Sequence, residues 1–128
     1  MTKPRRILVL SADEDQRRLF RGWLEESGFE VAVAGDCEAA FSQATGSAFD
    51  LIVVDLATAV DGIDLIKKVR DRPELINVLM LAIAAWGSGL GTLALCQDVD
   101  GFEPAPVDAD RLVASVERLL GNRAAVTQ

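Results

Sequence analysis

Short runs that are apolar without alternation constrain this chain most. "ILVL" at 7–10, "FDLIVVDL" at 49–56 and the stretch from Val78 to Ile83 show no polar side. A strand with no polar side is covered on both faces, as in a parallel sheet held between two layers of helices. Val31–Ala34, and Gly101 with Phe102, supply two further and shorter strands. Helical patterns separate all five. Five strands alternating with five helices predict an α/β fold on an open, doubly wound, five-stranded parallel sheet.

Local chemistry marks the helix ends. Asp13 precedes the first helix with Gln16 three residues on, a capping-box spacing. Leu19, Phe20, Trp23 and Leu24 then recur at helical intervals up to Gly28. Asp36 is the expected cap of the second helix, whose apolar members are Ala39, Ala40, Phe41 and Ala44. The third covers Ile63–Val69, after the loop through Gly62, and Pro73 ends it. Gly87, Ser88, Gly89 and Gly91 loosen the chain around the start of a fourth helix, Leu90–Gln97. Pro104 has no N–H for a ladder, so the fifth strand is expected at an edge or to end there. Asp108 caps the last helix, with Leu112, Val113, Val116, Leu119 and Leu120 on its stripe, and Gly121 closes it. Residues 1–121 thus read as one domain, and 122–128 as a C-terminal tail or the start of a linker.

The 128 residues suffice for one domain with a full core, and 50% apolar with 26% charged residues suits a globular chain. A net charge of −7 argues against sequence-independent nucleic-acid binding and against adsorption to anionic membranes. The basic groups at Lys3–Arg6 and at Arg17, Arg18 and Arg21 read as solvated faces. With no histidine in the chain, Ser–His and Cys–His catalysis, His-based zinc sites and a histidine phosphodonor are excluded. Cys37 and Cys96 lie far apart in apolar stretches and read as buried structural thiols of a reduced, cytoplasmic protein. No run is long and apolar enough to span a membrane, and the N-terminus lacks the apolar stretch of a signal peptide.

Ligands of a doubly wound sheet bind outside the carboxyl ends of the strands, where strand order reverses. The acids at that edge are Asp13 and Asp55, with Asp55 in the floor. The segments "RILVLSADEDQRRLFRGWLEESGFEV", "FDLIVVDL", "DGIDLIKKVR", "NVLMLAIAA" and "DGFEPAPVDADRLVASVERLL" resemble the receiver domain of two-component response regulators over residues 5–120. The resemblance implies a flavodoxin-like fold with strand order 2-1-3-4-5, which is the family's order and not a derivation from this chain. It also implies that Asp55 is the candidate phosphoacceptor, taking a phosphoryl group from the histidine of a partner kinase. A carboxylate is a weak nucleophile, so in the family Mg²⁺ neutralises the transferring group, held by the acceptor and two acids at the end of the first strand. A Lys after the fifth strand balances the phosphoryl charge, and a Thr or Ser ending the fourth strand turns inward to bond it.

Matched position by position, the chain keeps the acceptor and loses most of its support. The acid pair falls on Ser11 and Ala12, leaving Asp13 with Asp55 as the candidates for a metal. The hydroxyl position is Ala82, the Lys position is Ala105 before a retained Pro106, and Phe102 keeps the switch aromatic without a polar tip. The loop "DLATAVDG" lacks the family's proline and is one residue short. Each lost charge-assisted partner costs roughly 1.5–3 kcal/mol. With at least three missing, metal affinity and phosphotransfer are expected to fall by orders of magnitude. Capping accounts for Asp13 and Asp15 more simply than metal binding does.

The chain therefore reads as a degenerate receiver acting by protein–protein contact, with phosphorylation lost or weakened. No cofactor is expected, and any Mg²⁺ binding is expected to be weak. The implied partners are a histidine kinase or an effector domain, meeting a face around Trp86, Phe102 and Pro106. Trp86 either covers the emptied site or packs against the last helix. Homodimerisation through Leu90, Leu93, Ala94 and Leu95 stays open. So do two other functions: a receiver still phosphorylated at Asp55, and a small-ligand or nucleotide binder using the emptied pocket and the "GSGLG" loop at 87–91, which lacks a P-loop Lys. Nothing supports an independent enzyme.

Overall fold

The computed structural model describes residues 3–59, 61–85, 87, 89 and 99–126, with side chains to Gly121 in the last segment. Among these residues, strands and helices alternate: β1 (Arg6–Leu10), α1 (Glu14–Glu26), β2 (Glu30–Ala34), α2 (Cys37–Gly46), β3 (Leu51–Asp55), α3 (Gly62–Arg70), β4 (Leu79–Ala85), β5 (Gly101–Ala105) and α4 (Ala109–Val126). A 3-10 turn, Pro73–Leu75, stands between α3 and β4. Every strand pair is parallel, in the order β2-β1-β3-β4-β5. The expected fold class and strand order hold. Leu90–Gln97, expected as a helix, lies outside the described residues, as do Trp86 and Cys96.

Alternate residues of each strand enter two separate cores. Leu8, Leu10, Ile52, Val54 and Met80 pack with Leu65, Ile66 and Val69 beneath α2 and α3. Ile7, Val9, Leu51, Val53 and Leu81 pack with Phe20, Leu24, Leu112 and Val116 beneath α1 and α4. Both faces of the sheet are covered, so the strands carry no alternation. Each fully buried side chain of this size contributes about 1.5–3 kcal/mol.

The caps lie where the acids predict. Asp13, Asp36 and Asp108 accept the N–H groups of Gln16, Ala39 and Arg111 at 3.0, 2.8 and 2.9 Å. Pro104 sits on the edge strand, as its missing N–H requires. Other boundaries move. Leu19 is 48% exposed, because it lies about 120° round the helix from the midpoint of Phe20 and Leu24. Ala39 is exposed too, and Cys37 takes the buried place on α2. β4 starts one residue later than expected and runs two further, to Ala85. Pro73 opens the 3-10 turn, three residues after α3 has ended at Arg70. The last helix passes Gly121 and continues to Val126, since one glycine costs a helix only about 1 kcal/mol and no proline follows. No helix among the described residues is long and apolar enough to cross a membrane.

Candidate functional site

The parallel sheet brings the carboxyl ends of β1, β3, β4 and β5 to one edge. Asp55, the last residue of β3, lies in its floor at 2% exposure. Its Oδ2 accepts the hydroxyls of Ser11 and Thr58, each at 2.9 Å, and its Oδ1 accepts the Ala57 N–H at 3.2 Å. The Ala12 N–H donates to the Thr58 hydroxyl at 3.0 Å, and the two hydroxyls themselves lie 3.0 Å apart. Ser11 is fully buried. Its N–H reaches the Ala34 carbonyl at 3.1 Å, and the Arg17 guanidinium donates to its carbonyl at 2.8 Å. Among the described residues this buried carboxylate thus has three donors, and all three are uncharged.

The loop after β3 delivers Thr58 by a single helical turn. The N–H groups of Thr58 and Ala59 return to the Asp55 carbonyl at 3.3 and 2.9 Å. Gly62 then starts α3 close against β3, where a Cβ would lie 2.5 Å from Val54 Cγ1 and 2.8 Å from Leu56 Cδ2. Asp61 gives no cap to α3, since its Oδ2 accepts the Cys37 N–H at 3.1 Å and ties the loop to α2.

Burial pushes the Asp55 carboxyl above its ordinary value. The Ser11 and Thr58 hydroxyls and the Ala57 N–H pull it partly back, the Asp13 charge adds a smaller upward push, and the net shift is upward. No Lys or Arg among the described residues forms an ion pair with Asp55.

These donors do not fit a divalent cation. Mg²⁺ takes a strict octahedral shell of oxygens, usually one or two carboxylates with waters. Asp55 is the carboxylate in the floor, with Oδ2 taken by two hydroxyls and Oδ1 by one N–H, and no second acid stands beside it among the described residues. Asp13 is exposed, with Oδ1 holding the first turn of α1. No group of three His, Cys, Asp or Glu side chains converges among the described residues.

Ala105 and Pro106 line a cavity of about 290 Å³ in front of Asp55, together with Gln16, Phe20, Ala57, Thr58, Ile83, Ala85 and Val107. Ala82 does not reach it. It is fully buried beneath α2 and α3, in register with Val54 and Phe102. Strand alternation instead turns Ile83, the register partner of Asp55, and Ala85 toward the cavity, and neither carries a hydroxyl. Phe102 packs half-buried against the same core as Ala82, away from the cavity. Ala12 is exposed and contributes its N–H alone. The sequence pattern does not single out Ala57, Thr58 or Arg17. For Thr58 a signal exists, a hydroxyl three residues after the carboxylate in a short loop.

A family model for the response regulator receiver domain matches residues 7–117. The alkaline phosphatase synthesis transcriptional regulatory protein PhoP of Bacillus subtilis is 36% identical over 78 residues, 60% of this chain. The match spans only 32% of PhoP. An uncharacterized 14.6 kDa protein in the sodA1 3′ region of Leptolyngbya boryana is 32% identical over 114 residues, 88% of this chain and 87% of that protein. A solved structure, a putative response regulator from Chloroflexus aurantiacus, shares the fold with a TM-score of 0.85 at 24% identity, covering 93% of this chain and 99% of that one. This chain belongs to the response regulator receiver domains, the signalling modules of two-component systems.

Proposed function

We propose that this receiver works by protein–protein contact from one fixed conformation, with phosphorylation of Asp55 lost or much weakened. The hydrogen-bonded set of Ser11, Asp55 and Thr58 carries the reading. An attacking carboxylate must present an oxygen to phosphorus while positive charge neutralises the incoming oxygens. Here the donors stabilise the resting carboxylate and bring no net positive charge. Ala105 adds none after β5.

Residues 1–121 form the receiver unit in this reading, with the helical extension beyond Gly121 as tail or linker. Its partner is a histidine kinase or an effector domain, docking on the face that holds Phe102 and Pro106. No catalysis of its own is assigned to it. One observation favours the competing reading of a phosphorylated receiver: Asp55 lines an open cavity with room for a phosphoryl group.

Amide NMR during addition of Mg²⁺ and then beryllofluoride, which mimics a phosphoryl group on aspartate, separates the two. We expect no saturable shifts at Ser11, Asp55 or Thr58. A saturable response there would transfer the function to a phosphorylated receiver.

A further inference from the structure

The cavity at the carboxyl edge joins a buried acid to walls that carry no counter-charge among the described residues. Asp55 forms its floor, Phe20, Ile83 and Val107 supply apolar surface, and no Lys or Arg is among its described lining. Ala57, Ala85 and Ala105 are all short, which keeps open the space beside the carboxylate. An ionised carboxylate buried among neutral donors keeps its charge unbalanced. In such surroundings a cation brought alongside is attracted far more strongly than in water. The size is equally restrictive. At about 290 Å³ the cavity falls just below the range that holds drug-sized ligands.

We propose that this cavity binds a small alkylammonium, a primary amine with a short aliphatic tail. Its head lies against Asp55 and its tail against Phe20, Ile83 and Val107. The floor repels an anion, and a neutral alcohol of the same shape leaves the charge unbalanced. A divalent metal meets too few oxygens. The inference rests on the reading of Asp55 as an acid without a resident cation.

Thermal denaturation of the full chain during titration with n-butylammonium, n-butanol and butyrate at matched ionic strength tests it. The expected result is a saturable rise in Tm with n-butylammonium alone. In Asp55→Asn its midpoint should weaken by about tenfold or more, the loss expected for one charge-assisted hydrogen bond. Ala105→Leu, which fills the cavity without charge, should abolish it. In the unmodified chain, amide shifts at Ala57, Thr58 and Ala105 should saturate with the same midpoint. An equal rise with n-butanol, an unchanged midpoint in Asp55→Asn, or no saturable response through the millimolar range overturns the amine site. The amines contain no phosphoryl mimic, so the two readings fail separately. Silence toward both amine and beryllofluoride removes the amine site and keeps the fixed receiver, whereas a beryllofluoride response removes the fixed receiver.

Discussion

Asp55 and Glu103 are both carboxylates sunk in the sheet, at 2% and 8% exposure, and their surroundings differ in kind. Glu103, midway along β5, accepts Arg111 Nε and Nη2 on Oε1 at 3.2 and 2.9 Å. Its Oε2 accepts the Ser115 hydroxyl and lies 4.0 Å from Arg118 Nη2. Among the described residues, Asp55 has two hydroxyls and one backbone N–H. Both acids have hydrogen-bond donors, but among the described residues only Glu103 has its charge balanced. A buried charge left unpaired costs several kcal/mol. Glu103 therefore serves as a tie between β5 and α4, while Asp55 remains an acid beside open space. The chain does build cationic partners for a buried acid, so the neutral setting of Asp55 is a property of that edge and not of the whole domain.

Arg111→Met removes the charge balance of Glu103 most directly. It leaves Glu103 buried with Ser115 and a distant Arg118, and should cost about 2 kcal/mol in urea unfolding. A loss below about 1 kcal/mol would place the pair among solvent-screened surface bridges, because Arg111 itself is more than half exposed. Ser11→Ala comes next, at about 1.5–2 kcal/mol, since it strips a donor from the buried carboxylate. Most of that loss should disappear when the change is made on Asp55→Asn. If it persists in full, Ser11 acts by packing and not as a donor to Asp55.

The smallest effect is one of pH. Because Asp55 is held above its ordinary value, the folded chain binds more protons than the unfolded one between the two values. Its contribution to stability is complete below the ordinary carboxylate value and is lost as pH rises through the raised one. Asp55→Asn should therefore lift Tm by a few degrees near neutrality, with the gain shrinking to nothing in acid. A gain that stays constant with pH would detach it from ionisation.

Asp13, Asp36 and Asp108 are legible as caps because acid and N–H lie three residues apart in the same turn. The strands are legible because a wholly apolar run has one stable setting, with cover on both faces. Asp55 is found at the end of such a run. The partners of Asp55 are another matter, since Ser11 and Thr58 stand 47 residues apart and meet only through the pairing of β1 with β3 and the turn after it. Ala82 against Ile83 is a choice of register, and one residue reverses the face. The clamp of Glu103 by Arg111 and Ser115 likewise needs α4 laid across β5.

The class of fold, the caps and the place of the acid at the sheet edge are all written in the order of residues along the chain. These rest on local turns, or on burial summed over many residues, and both survive small errors of position. Which groups surround that acid, and whether they carry charge, depends on how the folded elements come together. A hydrogen bond acts over about 3 Å, and that distance is set by strand register and loop path together.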